Sequence, residues 1–417
     1  MKTQASENLF DVLSERKLVA QCTDQAIRDR LSSPVVAYVG FDPTADSLHV
    51  GSLVPLIALA HAQRCGHKPI VVMGGGTALV GDPSFKSDAR RMLTREQIEA
   101  NVNAIELQIA QLLRLDDSDT GALVLNNGDW LVEKNWVEVL RVFGAHFSVN
   151  RMLTMDSVRG RLDSDSGLSF LEFNYMVMQA MDFLHLHQEH GCTVQMGGQD
   201  QWGNIVMGIE LVRRVEGVHL AGLTFPLLTQ ADGTKFGKTE RGNVWLDPVR
   251  TRPFDFYQFW RNTADQDVGR FLRYFTFLSI DQVKQFESRE DQAINETKEV
   301  LAFELTRWVH GQAEAVEARD SARRAFDPSG DVKGKSIPSA PIDSSKLEEG
   351  VGLLALIVQA GLAQSNSEAR RHVEGGGVRI HDQKVTDPFQ RVMQQHVKDG
   401  FVLIRVGKKK MFRFDAS

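Results

Sequence analysis

A histidine and a glycine stand two residues apart in the run His49-Val50-Gly51-Ser52, at the start of an apolar, helix-length segment. An imidazole can donate a hydrogen bond to a phosphate oxygen, and a residue without Cβ lets a flat base lie against the backbone. The start of a helix also offers unpaired N–H groups and a positive dipole end. These residues predict a nucleotide site; the alternative is a surface histidine beside a turn glycine.

The elements that must position this pair are a strand, a turn and a helix. Strand-forming residues fill 35–41 and stop at Pro43, and apolar residues recur at helical spacing over 53–59. Open α/β sheets bind their ligands at such strand-to-helix turns. We therefore expect the ligand site of this chain to lie there.

A glycine-rich segment, residues 74–82, follows the next predicted strand. The step from Gly76 to Gly81 is that of a phosphate-binding P-loop, but the lysine required next is replaced by Asp82. Because a carboxylate repels phosphate, we reject the P-loop and expect Asp82 to suit an ammonium group. The alternative is a turn aspartate that caps a helix before Pro83.

A polar row runs along an otherwise apolar segment at 173–182. On a helix, Tyr175, Gln179 and Asp182 share one face. Burying these groups without partners would be costly, so we expect them to line a pocket. By contrast, the nearby His185, His187 and His190 spread around the helix, and we do not favour a metal site there.

Two more segments carry chemistry. In 195–204 a strand passes into a helix, where Gly197 and Gly198 allow close ligand approach and Asp200 and Gln201 could bind ribose hydroxyls or a substrate backbone. In 231–239, two lysines on a glycine-containing loop could close on a pyrophosphate and neutralise its charge as it leaves. The alternative for the second segment is a solvated surface loop.

Together these motifs resemble the class I aminoacyl-tRNA synthetases, and in particular the bacterial-type tyrosyl-tRNA synthetase family. The run at 49–52 resembles the HIGH signature, 40–48 resembles the segment that precedes it in the tyrosyl members, and 235–239 resembles the KMSKS loop. The resemblance covers nearly the whole chain. Two departures concern Ser52, where many relatives have His, and Pro55, which we expect either to bend the helix or to mark a late helix start.

The resemblance implies a reaction. Tyrosine carboxylate attacks the α-phosphorus of ATP, which gives tyrosyl-adenylate and pyrophosphate, and the terminal ribose of tRNA(Tyr) then takes the tyrosyl group.

The resemblance also implies a set of residues. It assigns tyrosine binding to Tyr38, Thr77, Asp82, Tyr175, Gln179, Asp182 and Gln201. Among these, Tyr38 and Asp182 contact the phenol, and Asp82, Tyr175 and Gln179 contact the ammonium group. ATP binding falls to Gly40, Asp42, His49, Gly51, Ser52, Gly198, Asp200 and Lys238. Catalysis falls to Thr44, His49, Lys86, Arg90, Lys235, Lys238 and Thr239. Magnesium is expected to accompany ATP as a substrate, and no zinc is expected.

Composition indicates a globular protein of several domains. The 417 residues are 42% hydrophobic and 24% charged, no uncharged apolar run is long enough to span a membrane, and the three cysteines lie far apart. We expect a cytoplasmic protein without a disulfide framework, a thiolate zinc site or a membrane partner.

The element pattern predicts an α/β fold. Short apolar strands alternate with helices up to about residue 229, as in a Rossmann-like, doubly wound parallel sheet. We expect a catalytic domain over 1–229, the catalytic loop and an α-helical domain over 230–326, a linker over 327–349 and a small α+β RNA-binding module over 350–417.

The last segment is basic. Eleven Lys or Arg stand against six Asp or Glu in 350–417, whereas the whole chain has a net charge of −6. This favours a polyanion partner, and the segment resembles an RNA-binding fold shared with a ribosomal small-subunit protein. The candidate phosphate contacts are Arg370, Arg371, Lys408, Lys409 and Lys410. The module favours the tyrosyl over the related tryptophanyl family, and a homodimer is expected by resemblance only.

Three functions remain open at this point. The first is a tyrosine-activating enzyme, the second a non-catalytic RNA-binding paralogue of the same fold, and the third a different nucleotidyl transferase with a His-x-Gly motif. His49, Asp82, Asp182, Asp200 and Lys238 argue against the second, and the polar helix face argues against the third.

Overall fold

The computed structural model describes residues 7–84, 93–162, 167–229, 236–239, 242–289, 293–326, 337–407 and 410–416. The chain divides into two compact units: residues 1–251 with 259–309, and residues 252–258 with 310–417. The first unit therefore takes in part of the predicted helical domain. The domain borders drawn from the sequence stay predictions.

A six-stranded sheet forms the centre of the first unit. Its strand order is β1-β6-β5-β2-β3-β4, in which β2 to β6 are parallel and β1 is an antiparallel edge. The strands of this unit are β1 Gln21–Cys22, β2 Val36–Phe41, β3 Lys68–Met73, β4 Leu123–Asn126, β5 Cys192–Gly198, β6 Ala221–Phe225, β7 Lys238–Thr239 and β8 Gly242–Asn243. The predicted doubly wound parallel sheet is confirmed.

The chain changes direction at β2. It runs outward through β3 and β4, then crosses back to β5 and β6 on the other side of β2. A crevice opens between the carboxyl ends of β2 and β5, because the connections from these two strands leave in opposite directions. The predicted ligand segment at 40–52 begins in the last two residues of β2 and therefore borders this crevice.

Helices connect these strands and form the middle of the chain. Their bounds are α1 Leu9–Glu15, α2 Ile27–Arg30, α3 Leu53–Arg64, α4 Arg95–Leu112, α5 Gly128–Leu131, α6 Trp136–Val142, α7 Val149–Leu153, α8 Asp156–Leu162, α9 Phe170–Phe173, α10 Tyr175–His190, α11 Trp202–Glu216, α12 Pro253–Arg261, α13 Asp265–Phe275, α14 Ile280–Glu287, α15 Ala293–His310 and α16 Gln312–Phe326. The predicted helical middle region is confirmed.

The late helix start expected at Pro55 is present. A 3-10 turn occupies Val50–Ser52, and α3 begins only at Leu53, so Pro55 lies in the first helical turn. Its missing N–H would have no intrahelical acceptor at that position, and the helix loses no hydrogen bond.

A second sheet organises the end of the chain. Its order is β12-β11-β14-β15-β9, and a core of aliphatic side chains with Phe414 packs against it. The elements are β9 Ser339–Ile342, α17 Ser344–Glu349, β10 Val351–Gly352, α18 Leu353–Gln359, α19 Asn366–Glu374, β11 Val378–Ile380, β12 Gln383–Val385, β13 Arg391–Val392, β14 Phe401–Val406 and β15 Lys410–Ala416. This agrees with the predicted α+β module.

Part of the predicted linker forms secondary structure. Within 327–349, β9 pairs in parallel with β15, and α17 buries Leu347 in the same core. The Pro- and Ser-rich composition suggested an unstructured segment, but strand pairing with residues more than seventy positions later is invisible in local sequence. The folded module thus begins by Ser339.

Within the described residues, no helix is both long and apolar enough to cross a membrane.

Candidate active site

A cavity of about 340 Å³ opens at the crevice between β2 and β5. It is lined by residues from the ends of β2, β3 and β5, from the start of α3 and from one face of α10. The predicted site residues among them are Tyr38, Gly40, Asp42, His49, Gly51, Ser52, Thr77, Asp82, Tyr175, Gln179, Asp182, Gly198, Asp200 and Gln201. Segments far apart in the chain therefore meet at one cavity.

The buried end of the cavity is built on Asp182 of α10. This side chain is 3% exposed, and its two oxygens accept hydrogen bonds from Asn127 Nδ2 at 2.9 Å and Trp130 Nε1 at 2.8 Å. Burial raises the pKa of Asp182 to about 7, the two hydrogen bonds oppose the rise, and Asp42 adds to it. The carboxyl group is thus fixed in orientation and poised to titrate near neutral pH.

Asn127 and Trp130 were missed by the sequence analysis. Both come just after β4, which pairs with β3, so their position at the carboxyl edge of the parallel sheet brings them to the cavity. The available signal was a polar Asn-Asn-Gly turn directly after an apolar strand. Asn127 also accepts from Gly76 N at 2.8 Å, which anchors the glycine-rich turn.

Tyr38 lies beside Asp182 at the same end. Its ring packs against Phe183 with centroids 5.3 Å apart, and its hydroxyl is buried without a hydrogen-bond partner among the described residues. Burial and the neighbouring Asp182 hold the pKa of Tyr38 well above its usual value, so the phenol is neutral. A buried hydroxyl without a partner is rare in folded proteins and indicates a place for a polar ligand group.

A second set of polar contacts joins the strand ends. Asp42 accepts from Thr77 Oγ1 at 2.9 Å and from Tyr175 OH at 3.1 Å, and Asn127 Nδ2 donates to Thr77 Oγ1 at 3.1 Å. Gly74 makes room for this contact, because a Cβ there would lie 2.3 Å from Asp42 Oδ1. The network ties β2, the glycine-rich turn and α10 into one wall.

Amide side chains hold a further set of residues that line the cavity. Gln201 Nε2 donates to Asp82 Oδ2 at 2.7 Å, and Asn204 Nδ2 donates to Gln179 Oε1 at 2.9 Å and to Gln201 Oε1 at 3.0 Å. Asn204 was also missed, because a single Asn within an amphipathic helix carries no local signal. With Asp42, Asp82 and Asp200 all lining the cavity, its polar wall is acidic and suits an ammonium group.

His49 caps the turn that starts α3. Its Nδ1 accepts from Gly51 N at 3.0 Å, so the neutral ring carries its proton on Nε2 and donates from that atom. A Cβ at Gly51 would lie 2.6 Å from this ring, which explains the glycine. On its other side, His49 pairs with Trp245 in an antiparallel bridge.

Some predicted site residues do not line the cavity, and others lie outside the residues that the structure describes. Thr44 is exposed and does not line the cavity. Lys86, Arg90, Lys235, Lys408 and Lys409 lie outside the described residues, and only the backbone of Lys238 and Thr239 is described, in β7. Arg370 and Arg371 on α19 and Lys410 in β15 are exposed.

The rings of His185 and His190 on α10 meet edge to face with centroids 6.5 Å apart, but the three histidines of this helix do not share one site. His185 stacks on Trp130 with ring centroids 4.3 Å apart, whereas His187 Nδ1 lies 3.0 Å from the carbonyl oxygen of Cys192. Among the described residues, no group of three or more His, Cys, Asp or Glu side chains could hold a metal ion.

Comparison with known proteins identifies the family. Residues 30–327 match the model of the class I tRNA synthetases for tryptophan and tyrosine, and residues 332–414 match the C-terminal domain of tyrosine–tRNA ligases. A tyrosine–tRNA ligase of Rhizobium meliloti (strain 1021) is 47% identical over 98% of both chains. The chain belongs to the tyrosine–tRNA ligase family.

Further relatives agree with this membership. A Clostridium botulinum (strain Hall) tyrosine–tRNA ligase is 46% identical over 97% of this chain and 98% of its own. The crystal structure of a truncated mitochondrial tyrosyl-tRNA synthetase of Aspergillus nidulans superposes with a TM-score of 0.69 at 30% identity, over 77% of this chain and 94% of that one. The predicted family and enzyme class are confirmed, and no comparison supports a non-catalytic paralogue.

Proposed function

We propose that the cavity binds tyrosine and Mg-ATP, joins them as tyrosyl-adenylate, and passes the tyrosyl group to tRNA(Tyr). The observation that carries this proposal is the pair formed by Asp182 and Tyr38. Asp182 is held by two donors from the protein, and Tyr38 has a buried hydroxyl without a partner among the described residues. A phenol between them would donate to the carboxylate and accept from Tyr38, which satisfies both groups at once.

We assign the ammonium group of the substrate tyrosine to the acidic wall of the cavity. Asp82, Tyr175 and Gln179 also line the cavity and offer a carboxylate, a hydroxyl and an amide to the ammonium group. Thr77 donates a hydrogen bond to Asp42, which also accepts from the Tyr175 hydroxyl, and Gln201 donates one to Asp82. The substrate carboxylate then points toward the start of α3.

We assign ATP binding to the other residues that line the cavity. His49 donates from Nε2 to a phosphate oxygen, and the helix start adds backbone N–H groups. Gly40, Gly51 and Gly198 let the nucleoside approach the backbone, Ser52 adds a hydroxyl, and Asp200 accepts from the ribose. Asp42 lies between the two substrates; the magnesium that enters with ATP is part of the substrate.

The reaction needs no covalent enzyme intermediate. A carboxylate oxygen of tyrosine forms a bond to the α-phosphorus, and the bond from that phosphorus to the β-phosphate bridge breaks, so that pyrophosphate leaves with the electron pair. The protein positions the reactants and neutralises the charge that develops. We assign charge neutralisation to His49, Lys86, Arg90, Lys235 and Lys238, with Thr44 and Thr239 as hydroxyl donors.

The C-terminal module is proposed to hold the tRNA. Arg370, Arg371 and Lys410 are exposed on one small α+β fold, and Lys408 and Lys409 precede Lys410 in the sequence. Exposed arginines and lysines bind phosphates through charge, and each contact adds salt-dependent affinity. A cytoplasmic location is part of the same proposal.

A homodimer is part of the same proposal. Residues 132–162 and 167–171 expose large apolar side chains, among them Val137 at 70% and Phe170 at 69%. The Trp136 and Phe170 rings meet edge to face, 6.3 Å between centroids, so the exposed groups form a patch rather than isolated residues. Light scattering of Trp136→Glu should give half the wild-type mass; an unchanged mass would contradict this interface.

The experiment that tests the function is the exchange of labelled pyrophosphate into ATP without tRNA. Tyrosine, phenylalanine and tryptophan are compared on the full chain. Exchange with tyrosine alone is expected; folded protein that supports none with any of the three would favour the RNA-binding paralogue. Exchange with tryptophan would overturn the assignment of Tyr38 and Asp182 to a phenol.

A further inference from the structure

One short segment, residues 242–247, contacts both motifs that are assigned to ATP. Its first residues form β8, which pairs with β7 so that Asn243 lies opposite Lys238. Its next residues pair with the turn before α3: Val50 N donates to Val244 O at 3.0 Å, and Leu246 N donates to Leu48 O at 2.8 Å. The loop that carries Lys238 and the turn that carries His49 are thus joined through this segment.

Trp245 is the centre of this connection. It lies opposite His49 in the antiparallel bridge, and the two rings meet edge to face with centroids 6.3 Å apart. The guanidinium of Arg250 stacks on the indole of Trp245, 3.6 Å from the indole centroid. Nη1 of Arg250 donates a hydrogen bond to the carboxylate of Asp46. Asp46 lies three residues before His49, so the stack is tied at both ends to the same turn.

The loop itself is held tightly beside this turn. Gly237 has φ +83°, and a Cβ there would lie 2.8 Å from Cγ2 of Val50, so only glycine permits the approach. Val244 N donates to Gly237 O at 3.1 Å. Just before it, Phe236 is buried against Phe271 with ring centroids 4.9 Å apart.

These contacts give the loop a fixed point next to the nucleotide site. Charge that develops in a transition state is stabilised only by groups that are already in place, and a displacement of about 1 Å can lower a rate by about a hundredfold. We propose that Trp245, stacked by Arg250, is a positioning residue that sets residues 236–239 against the His49 turn during adenylate formation. The proposal rests on the proposed function of the cavity.

The test is a double-mutant cycle with Lys238. Single-turnover formation of tyrosyl-adenylate is measured with the full chain for Trp245→Leu, Trp245→Phe, Arg250→Lys, Lys238→Ala and the combined variants, together with the tyrosine Kd. Trp245→Leu is expected to slow the step by about tenfold to a hundredfold, Trp245→Phe to restore most of the rate, and both to leave the tyrosine Kd within about twofold.

The cycle separates positioning from a general structural role. In the Lys238→Ala background, Trp245→Leu should slow the step by less than about threefold, since the lysine that it positions is already gone. Equal fold-losses in both backgrounds would overturn the proposal, as would a loss of tyrosine affinity as large as the loss of rate.

A second variant covers a failure of Trp245→Leu to fold. Arg250→Lys keeps the charge near Asp46 but removes the planar stack on an exposed side chain, so it is expected to fold and to slow the step by about threefold to tenfold. Arg28→Gln breaks another exposed ion pair, with Asp11, and serves as the matched control without effect. If the wild-type chain supports no pyrophosphate exchange, the proposed function is contradicted. If the wild type is active and Arg250→Lys forms the adenylate at the wild-type rate, only the positioning role is contradicted.

Discussion

The indole Nε1 of Trp130 donates a 2.8 Å hydrogen bond to Oδ1 of Asp182. The donor lies in the short helix α5, which follows β4, and the acceptor lies in the middle of α10, so the bond joins two elements that are far apart in the sequence. Together with Asn127, it keeps the carboxyl group of Asp182 aimed at the place where a substrate phenol would lie.

Replacing Trp130 by Phe should therefore act through Asp182. An aromatic ring remains beside His185, while a hydrogen bond to a carboxylate, worth about 1.5–3 kcal/mol, is lost. We expect the kcat/KM for tyrosine in pyrophosphate exchange to fall by about tenfold to a hundredfold. The control is Trp308→Phe, which removes an indole donor to the Leu112 carbonyl elsewhere in the same unit; equal effects of both variants would contradict the assignment.

Tyr38→Phe should weaken substrate selectivity while sparing the fold. Without ligand, the Tyr38 hydroxyl is buried with no partner among the described residues, so its removal should leave the free energy of unfolding unchanged or raise it by about 1 kcal/mol. The preference for tyrosine over phenylalanine should fall by about tenfold, because the enzyme loses one hydrogen bond to the phenol. Denaturant unfolding and exchange kinetics measure the two effects. An unchanged preference would place the phenol elsewhere.

The pKa of Asp182 predicts how the stability of the ligand-free protein depends on pH. In the folded chain the pKa is raised to about 7 from an ordinary value of 3.8, so between these values the folded state binds more protons than the unfolded state. The stabilisation is complete below the lower value and is lost as pH rises through about 7. The free energy of unfolding should fall by up to about 1.4 kcal/mol per pH unit in this window from Asp182 alone.

Asp182→Asn is the matched control for this measurement. The substitution keeps the shape of the side chain and removes its titration, so the difference in unfolding free energy between wild type and variant isolates this group. Urea unfolding between about pH 5 and about pH 8 provides the curve. A pH-independent difference would show that Asp182 is ionised throughout.

Lys238→Ala should affect adenylate formation more than ATP binding. A lysine that meets the pyrophosphate only as it departs stabilises the transition state, and removing such a group lowers a rate by about 10²–10³. The rate comes from single-turnover kinetics, and the ATP affinity from its concentration dependence. Lys284→Ala, on an exposed lysine of α14, is the control. Equal losses in rate and affinity would make Lys238 a ground-state ATP ligand.

Arg371→Gln should separate tRNA binding from amino-acid activation. Arg371 is exposed on α19 and, if it meets a phosphate, its loss should weaken tRNA binding and reduce the salt slope by about one. Pyrophosphate exchange without tRNA should stay at the wild-type level. The tRNA affinity at several salt concentrations is the measurement, and an unchanged slope would remove Arg371 from the RNA surface.

Much of the site was predictable from local patterns. The strand-turn-helix around His49 and the helical spacing of Tyr175, Gln179 and Asp182 depend on contacts within a few residues, and each segment carries its own periodicity. The parallel, doubly wound sheet followed from the alternation of strands and helices. That alternation also placed these segments at the carboxyl ends of strands, where the cavity lies.

The partners of these residues were not predictable in the same way. Asn127 and Trp130 reach Asp182, Asn204 bridges Gln179 and Gln201, and Trp245 lies opposite His49 across nearly two hundred residues of chain. Similarly, β9 pairs with β15 although its composition predicted a linker. Such pairings depend on strand order and on the packing of whole elements, because hydrogen bonds between distant segments leave no period in the sequence. Local sequence patterns thus identified the groups that are proposed to bind the substrates, whereas the packing of the sheet and helices determined which residues hold those groups in place.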